Sequence, residues 1–206
     1  MLFRSKEDAY QSSRSRLQVG YVMTVNDLLH AALMSSDNRA ARAIARATSG
    51  TIEAFAKEMN RKARKLGLLD TYFVEPTGLS EHNVSTAHDV AKMIHYAYDY
   101  PLIREISTKD DYRVTIRNRK QTYRSLNNTN LLLNSSYSVC SGKTGYIRES
   151  DYCLATIVRD AHGQRMTAVV LGVPGSKLRF KECRKLIEWG YGHRDAATAE
   201  HASAKS

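Results

Sequence analysis

Two short polar triplets carry the residue types that chemistry needs. Ser36-Asp37-Asn38 sets a hydroxyl, a carboxylate and an amide side by side, and Lys143-Thr144-Gly145 sets an ammonium and a hydroxyl before a residue with no side chain. Each has a plain reading by itself. Ser, Asp and Asn accept hydrogen bonds from the free amides at a helix start, so the first triplet alone is explained by capping. Gly142-Lys143-Thr144 has the ending of a phosphate-binding loop, but that loop needs a glycine five residues before the glycine of the Gly-Lys pair, and the residue there is Tyr137, so nucleotide binding is not expected. A lone Lys-Thr-Gly says little. The weight lies in the pair, a Ser-x-Asn and a Lys-Thr-Gly separated by 107 residues. Metal chemistry is not expected: the three cysteines, Cys140, Cys153 and Cys183, form no Cys-x-x-Cys, and the seven histidines are scattered, His88 and His95 being the nearest regular pair. No cofactor is implied.

The elements that must position these triplets follow from periodicity. From Thr24, Leu28, Leu29, Ala32 and Leu33 recur at helical spacing, and Thr24-x-x-Asp27 has the form of a capping box, so a helix is expected to about Met34. The polar run Ser35–Asn38 breaks it, and Ala40, Ala41, Ala43, Ile44 and Ala47 resume the period up to Ser49-Gly50. Ser36 therefore falls on a tight corner between two helices. A third helix is expected through Phe55, Met59, Ala63 and Leu66 to Gly67, then a loop containing Glu75-Pro76-Thr77-Gly78-Leu79, then a fourth helix capped by Thr86-x-x-Asp89 and ended by Pro101. Beyond Asp111 the period becomes two, and strands are expected at Tyr112–Ile116, Ser141–Tyr146, Asp151–Arg159 and Arg165–Val173, the last two joined by a hairpin turn at Asp160–Gly163. Lys181–Trp189 reads as a closing helix, and after Gly192 the chain is small, polar and aperiodic, as in a disordered tail.

With both triplets placed, the sequence resembles the D-alanyl-D-alanine carboxypeptidases, low-molecular-mass penicillin-binding serine peptidases, over roughly residues 16–192. The likeness is carried by Leu33–Ala41, Pro76-Thr77-Gly78-Leu79, Ser85-Thr86-Ala87-x-Asp89 and Gly142–Tyr146, four local patterns in the family's order. The resemblance implies an α/β (α+β) fold of the β-lactamase and penicillin-binding transpeptidase type, a helical part over about residues 24–100 and a mostly antiparallel sheet part over about 111–192, with residues 193–206 left as the tail. It implies hydrolysis of the terminal D-Ala from the peptidoglycan pentapeptide through an acyl-enzyme, with β-lactam antibiotics as mimics of that terminus. By resemblance, Ser36 shuttles a proton to the departing amine and Asn38 binds a substrate amide. Lys143 and Thr144 hold the terminal carboxylate, Gly145 lets the substrate backbone approach the strand, and the Tyr146 amide is one oxyanion donor.

The family's third motif, Ser-x-x-Lys, is not found: no serine here has a lysine three places on, and Ser36 itself is followed by Arg39. No nucleophile is carried over, so the chain is expected to be a partial catalytic domain lacking the amino-terminal strands and nucleophile helix. Only trace catalysis is expected of it, on the order of what binding groups alone leave in other serine enzymes. The strand Arg165–Val173 is then expected to present an unpaired edge and the sheet to lose cover from its apolar face. Two alternatives remain: a non-catalytic peptidoglycan-binding or complementing fragment, and a class A β-lactamase in which Glu75 activates water. At 206 residues, 42% hydrophobic and 25% charged, the chain reads as globular, with no run approaching a membrane span. Its net charge of +10 is spread along the chain rather than gathered, so nucleic acid is not the expected partner. Met1–Asp8 turns charged at once and has no secretory h-region, whereas the family resemblance implies the periplasm or outer surface for a full-length protein.

Overall fold

The computed structural model describes residue 15, residues 17–120 and residues 122–203. Helix α1 (Val25–Met34) opens on the expected capping box: the Thr24 hydroxyl accepts from the Asp27 amide at 2.9 Å, and Asp27 Oδ2 accepts from the Thr24 amide. Helix α2 (Asn38–Ser49) opens on Asp37, whose Oδ1 accepts from the Ala40 amide at 3.0 Å. Between the helices the Asp37 amide donates back to the Ala31 carbonyl, folding the chain into the corner expected from Ser35–Asn38. Helices α3 (Ile52–Lys65) and α4 (Ala87–Tyr98) carry Thr51 and Thr86 as their caps. Pro101 does end α4, and it also sits in the first turn of a short helix, α5 (Pro101–Ser107), that periodicity did not reveal, because an amide there has no partner to lose.

Two antiparallel sheets follow. β1 (Asp111–Ile116) pairs with β2 (Thr122–Asn127), a strand not foreseen, with Val114 opposite Arg124. This ribbon packs Val114, Ile116 and Leu126 against Leu28 and Ala31 of α1, all at most 1% exposed. The second sheet has the order β3 (Ser138–Ile147), β4 (Asp151–Arg159), β5 (Arg165–Val173), antiparallel throughout, and β5 pairs on one side only among the described residues. Its faces are not bare as expected. On one side Phe180, Cys183 and Ile187 of α6 (Leu178–Ser203) bury Leu154, Val158 and Ala168, and on the other Ile94 of α4 packs with Ala155 and Ile157. Each large side chain so enclosed contributes about 1.5–3 kcal/mol, which is why the sheet holds its two helices.

The closing helix is longer than expected. It continues beyond Trp189 to Ser203, through a segment expected to be a disordered tail; residues 204–206 lie outside the described residues. Gly190 lies inside this helix. A Cβ there would lie 2.6 Å from Met166 Sδ on β5, so the glycine serves close packing of helix on sheet. Ala196, Ala197, Ala199 and Ala202 then carry the helix on by their high intrinsic propensity.

Candidate active site

The corner and strand β3 meet in a cleft of about 600 Å³, and all six expected residues, Ser36, Asn38, Lys143, Thr144, Gly145 and Tyr146, line it. Ser36 has a positive φ of 54°, the left-handed region that a residue with a Cβ seldom adopts. Its neighbours are pinned on both sides: Ser35 Oγ donates to the Asn127 carbonyl at 3.1 Å, and Asp37 Oδ2 accepts from Ser15 Oγ at 2.6 Å. Strain held in place by such anchors is characteristic of functional corners.

Strand β3 supplies the opposite group. Lys143 pairs in register with Ala155 of β4, and its ammonium donates to Ser36 Oγ and, at 2.7 Å, to the Thr144 carbonyl. The residue as a whole is half-buried, with the ammonium as its enclosed end. Burial, and then the guanidinium of Arg179, bring the lysine's pKa from its ordinary 10.5 down to about 8. No carboxylate pairs with it among the described residues. The Thr144 hydroxyl is shared with Thr129 Oγ1 at 2.6 Å, and Thr129 is itself anchored to the Met34 carbonyl at the end of α1 through its amide and hydroxyl. One hydroxyl pair thus ties the strand to the corner. Beyond it, Tyr146 stacks on Tyr152 with ring centroids 4.2 Å apart.

The two glycines of β3 answer different demands. A Cβ on Gly142 would meet Asn130 Nδ2 at 2.5 Å, so packing excludes one there. At Gly145 the nearest atom would be Cys153 Cβ at 3.6 Å, an ordinary contact, so the fold alone does not demand glycine at the cleft edge.

Arg179 and Thr129 escaped the sequence reading. Arg179 lies near the start of α6, 9% exposed, with one guanidinium nitrogen donating to the Gly145 carbonyl at 3.0 Å and its Nε lacking a partner. It fixes the carbonyl edge of β3 and adds positive potential beside Lys143. Its only sequence signal is a basic residue directly before the apolar Phe180 in a helical stretch. Thr129 had a better one, the polar triplet Asn128-Thr129-Asn130 ahead of Leu131–Leu133.

Glu75 proves to be a loop staple. Oε1 accepts from the amides of Gly78, Leu79 and Ser80 and from Asn83 Nδ2, and Oε2 accepts from the amide and hydroxyl of Thr77. Burial works to raise its pKa, but the Thr77 bonds and further amides outweigh it and hold the carboxyl below its ordinary value. The carboxylate shapes Pro76–Leu79, which lines the cleft, and is itself absent from the lining, so it is not placed as the water-activating base of a β-lactamase. Among the described residues no cluster of His, Cys, Asp and Glu could hold a metal.

Comparisons with known proteins agree with this geometry. The family model described as D-alanyl-D-alanine carboxypeptidase matches residues 3–175. A D-alanyl-D-alanine endopeptidase of Pseudomonas aeruginosa is 38% identical over 178 residues, covering 85% of this chain and 56% of that protein. The D-alanyl-D-alanine carboxypeptidase DacF of Bacillus subtilis is 35% identical over 192 residues, covering 91% of this chain and 48% of that protein. The chain thus spans about half the length of these relatives. The Streptomyces K15 DD-transpeptidase superposes with a TM-score of 0.85 at 26% identity, over 93% of this chain and 78% of that one. The architecture is that of the penicillin-binding DD-peptidases, and the chain belongs to the D-alanyl-D-alanine carboxypeptidase family, Peptidase_S11.

Proposed function

We propose that this chain forms the substrate-gripping side of a serine-type D-alanyl-D-alanine peptidase acting on peptidoglycan stem peptides. The observation that carries the reading is Lys143: an enclosed ammonium at the cleft wall, beside a second cation and without a carboxylate of its own among the described residues. Leaving a cation so placed costs stability, and the cost is offset when a ligand carboxylate arrives. Lys143 and the Thr144 hydroxyl take the terminal carboxylate of the pentapeptide or the equivalent group of a β-lactam. Gly145 leaves the strand edge open for the substrate backbone, a use that packing does not compete for. The Tyr146 amide faces the carbonyl to be attacked, Asn38 holds a substrate amide, and Ser36 passes a proton between Lys143 and the leaving amine. Such a substrate places the working protein outside the cytoplasm, in the periplasm or at the outer surface. No described helix is long and apolar enough to cross a membrane.

The second reading is a cleft that binds stem peptides without turning them over, for which the carboxylate-holding side chains Lys143 and Thr144 that line it are sufficient. Release of D-Ala from diacetyl-L-Lys-D-Ala-D-Ala, followed beside calorimetric binding of the same peptide, separates the two. Binding with D-Ala release gives the peptidase, and binding alone gives the binder. A chain that neither binds nor cleaves the peptide contradicts both.

A further inference from the structure

A second cavity, of about 420 Å³, lies between helices α3, α4 and α5. Phe55 stands in its wall and in that of the cleft, so the two are neighbours. The wall follows from helical spacing: Phe55 and Met59 recur four apart on α3, Met93 and Ala97 four apart on α4, and Phe73 and Ile103 join them. Asn60 is buried and holds Phe73 by two bonds, its Nδ2 donating to the Phe73 carbonyl at 2.6 Å and its Oδ1 accepting from the Phe73 amide at 2.8 Å. The space is therefore preformed. Its volume falls near the lower end of the roughly 300–1,000 Å³ of small-molecule sites, which fits a short apolar body.

The lining also holds a row of polar groups. Lys62 Nζ donates to the Tyr96 hydroxyl at 2.8 Å and lies 4.9 Å from the centre of that ring, and the Tyr96 and Tyr100 hydroxyls are bonded to each other at 2.5 Å. An ammonium has three N–H donors, and Tyr96 takes one of those on Lys62. Glu58, one turn earlier on α3, stands where helix geometry would supply an ion pair for Lys62. It is turned instead to Arg61, with Oε1 3.6 Å from Nη2, and among the described residues Lys62 pairs with no carboxylate. An apolar wall beside one ammonium and two phenols suits a ligand with an apolar body and an anionic end. Glu58 in the lining, and Asp99 at the end of α4 next to Tyr100, favour one negative charge over two, a carboxylate over a phosphate. We propose that the cavity between α3, α4 and α5 is a second binding site, for a small amphipathic carboxylate whose apolar body lies against Met59, Phe73 and Met93 and whose anionic end meets Lys62 and the Tyr96–Tyr100 hydroxyl pair. No part of this depends on how the cleft is used.

The methionines give a readout at the site itself. Met59 and Met93 line this cavity, Met23 and Met166 pack in other clusters, and Met34 ends α1 beside the cleft corner. The full chain, isotopically labelled at its methionine methyl groups, is titrated with sodium octanoate and followed by NMR. The expected result is a saturable shift of the Met59 and Met93 signals while those of Met23 and Met166 stay still. Hexanoate, shorter by two methylenes, binds about tenfold more weakly. Octylammonium, with the opposite charge, is also weaker by about tenfold, and Lys62→Met removes the preference for octanoate over it. Ala97→Leu keeps helix propensity, fills the space and weakens octanoate by at least about tenfold. Unmoved Met23 and Met166 signals in either variant show that it is folded. No saturable shift at Met59 and Met93 overturns the site, as does a preference for the acid that survives Lys62→Met. A shift confined to Met34 puts the acid in the cleft and overturns it too. Shifts produced by phosphatidylglycerol vesicles and not by octanoate make this face a membrane contact, and overturn a small-molecule site.

Discussion

Glu75, behind the cleft loop, and Lys143, at the cleft wall, are two ions drawn away from water, and the chain around them behaves differently. Glu75 is surrounded by donors from its own loop: four amides, a hydroxyl and the Asn83 side chain converge on its two oxygens. Lys143 has one hydroxyl and one carbonyl, and its charged neighbour is another cation. A charge fully satisfied by local backbone is architecture. A charge held with spare capacity and an unfavourable neighbour fits the binding role proposed for it, because the interaction that would satisfy it comes from outside. The pKa directions express the same contrast, for both are lowered: in Glu75 because the charged form is well solvated by the loop, in Lys143 because it is not.

Removing each ion should therefore have opposite consequences. The largest effect is expected from Glu75→Ala, which strands the amides of Thr77, Gly78 and Leu79. Stability should fall by about 2–3 kcal/mol, read as a loss of roughly 5–10 °C in Tm by calorimetry. Lys143→Met should leave Tm unchanged or higher, while the affinity for a D-Ala-D-Ala peptide falls on the order of a hundredfold, about 3 kcal/mol. A Tm drop as large as that of Glu75→Ala would erase the contrast.

Acid and alkali probe it with smaller effects. A carboxyl held below its ordinary pKa adds stability above that value and loses it as the pH falls through the folded-state pKa. The wild type should thus lose stability on acidification more steeply than Glu75→Gln. For Lys143 the unfolded chain binds more protons between about pH 8 and about 10.5, so stability should rise with pH across that window and stay flatter in Lys143→Met. Denaturant titrations across pH check both slopes. The smallest effect sharpens the role of the second cation. Arg179→Met should raise the pKa of Lys143, seen as a shift to higher pH in lysine-specific acylation, and weaken peptide binding by about tenfold. An unchanged profile would leave Arg179 as a strand anchor alone.

What was legible in the sequence was what is local. The capping box at Thr24, the corner at Ser36 and the period-two strands around Lys143 are set by residues a few positions apart, and the structure places them as expected. The meeting of Ser36 with Lys143 is not local, and only the family resemblance supplied it. Where the sequence misled, tertiary packing had overridden a local sign. The chain after Gly192 looked like a disordered tail, and α6 runs on through it, with Gly190 inside the helix as a contact point for Met166. Pro101 ends α4 as expected, and the short α5 that it begins went unseen. Arg179 gave no hint of the cleft, because its use depends on α6 lying across the sheet with its guanidinium on the Gly145 carbonyl. Glu75 suggested catalysis by type and position, and its real task is set by amides two to five residues away.

The central claim is that Lys143 waits for a ligand carboxylate. The most direct test is a calorimetric comparison of diacetyl-L-Lys-D-Ala-D-Ala with the same peptide ending in a carboxamide, titrated into the wild type and Lys143→Met. The account predicts one-to-one binding of the acid by the wild type, at least about tenfold weaker binding of the amide, and no such preference in the variant. Equal affinity for acid and amide, or a preference that survives the loss of Lys143, would contradict it.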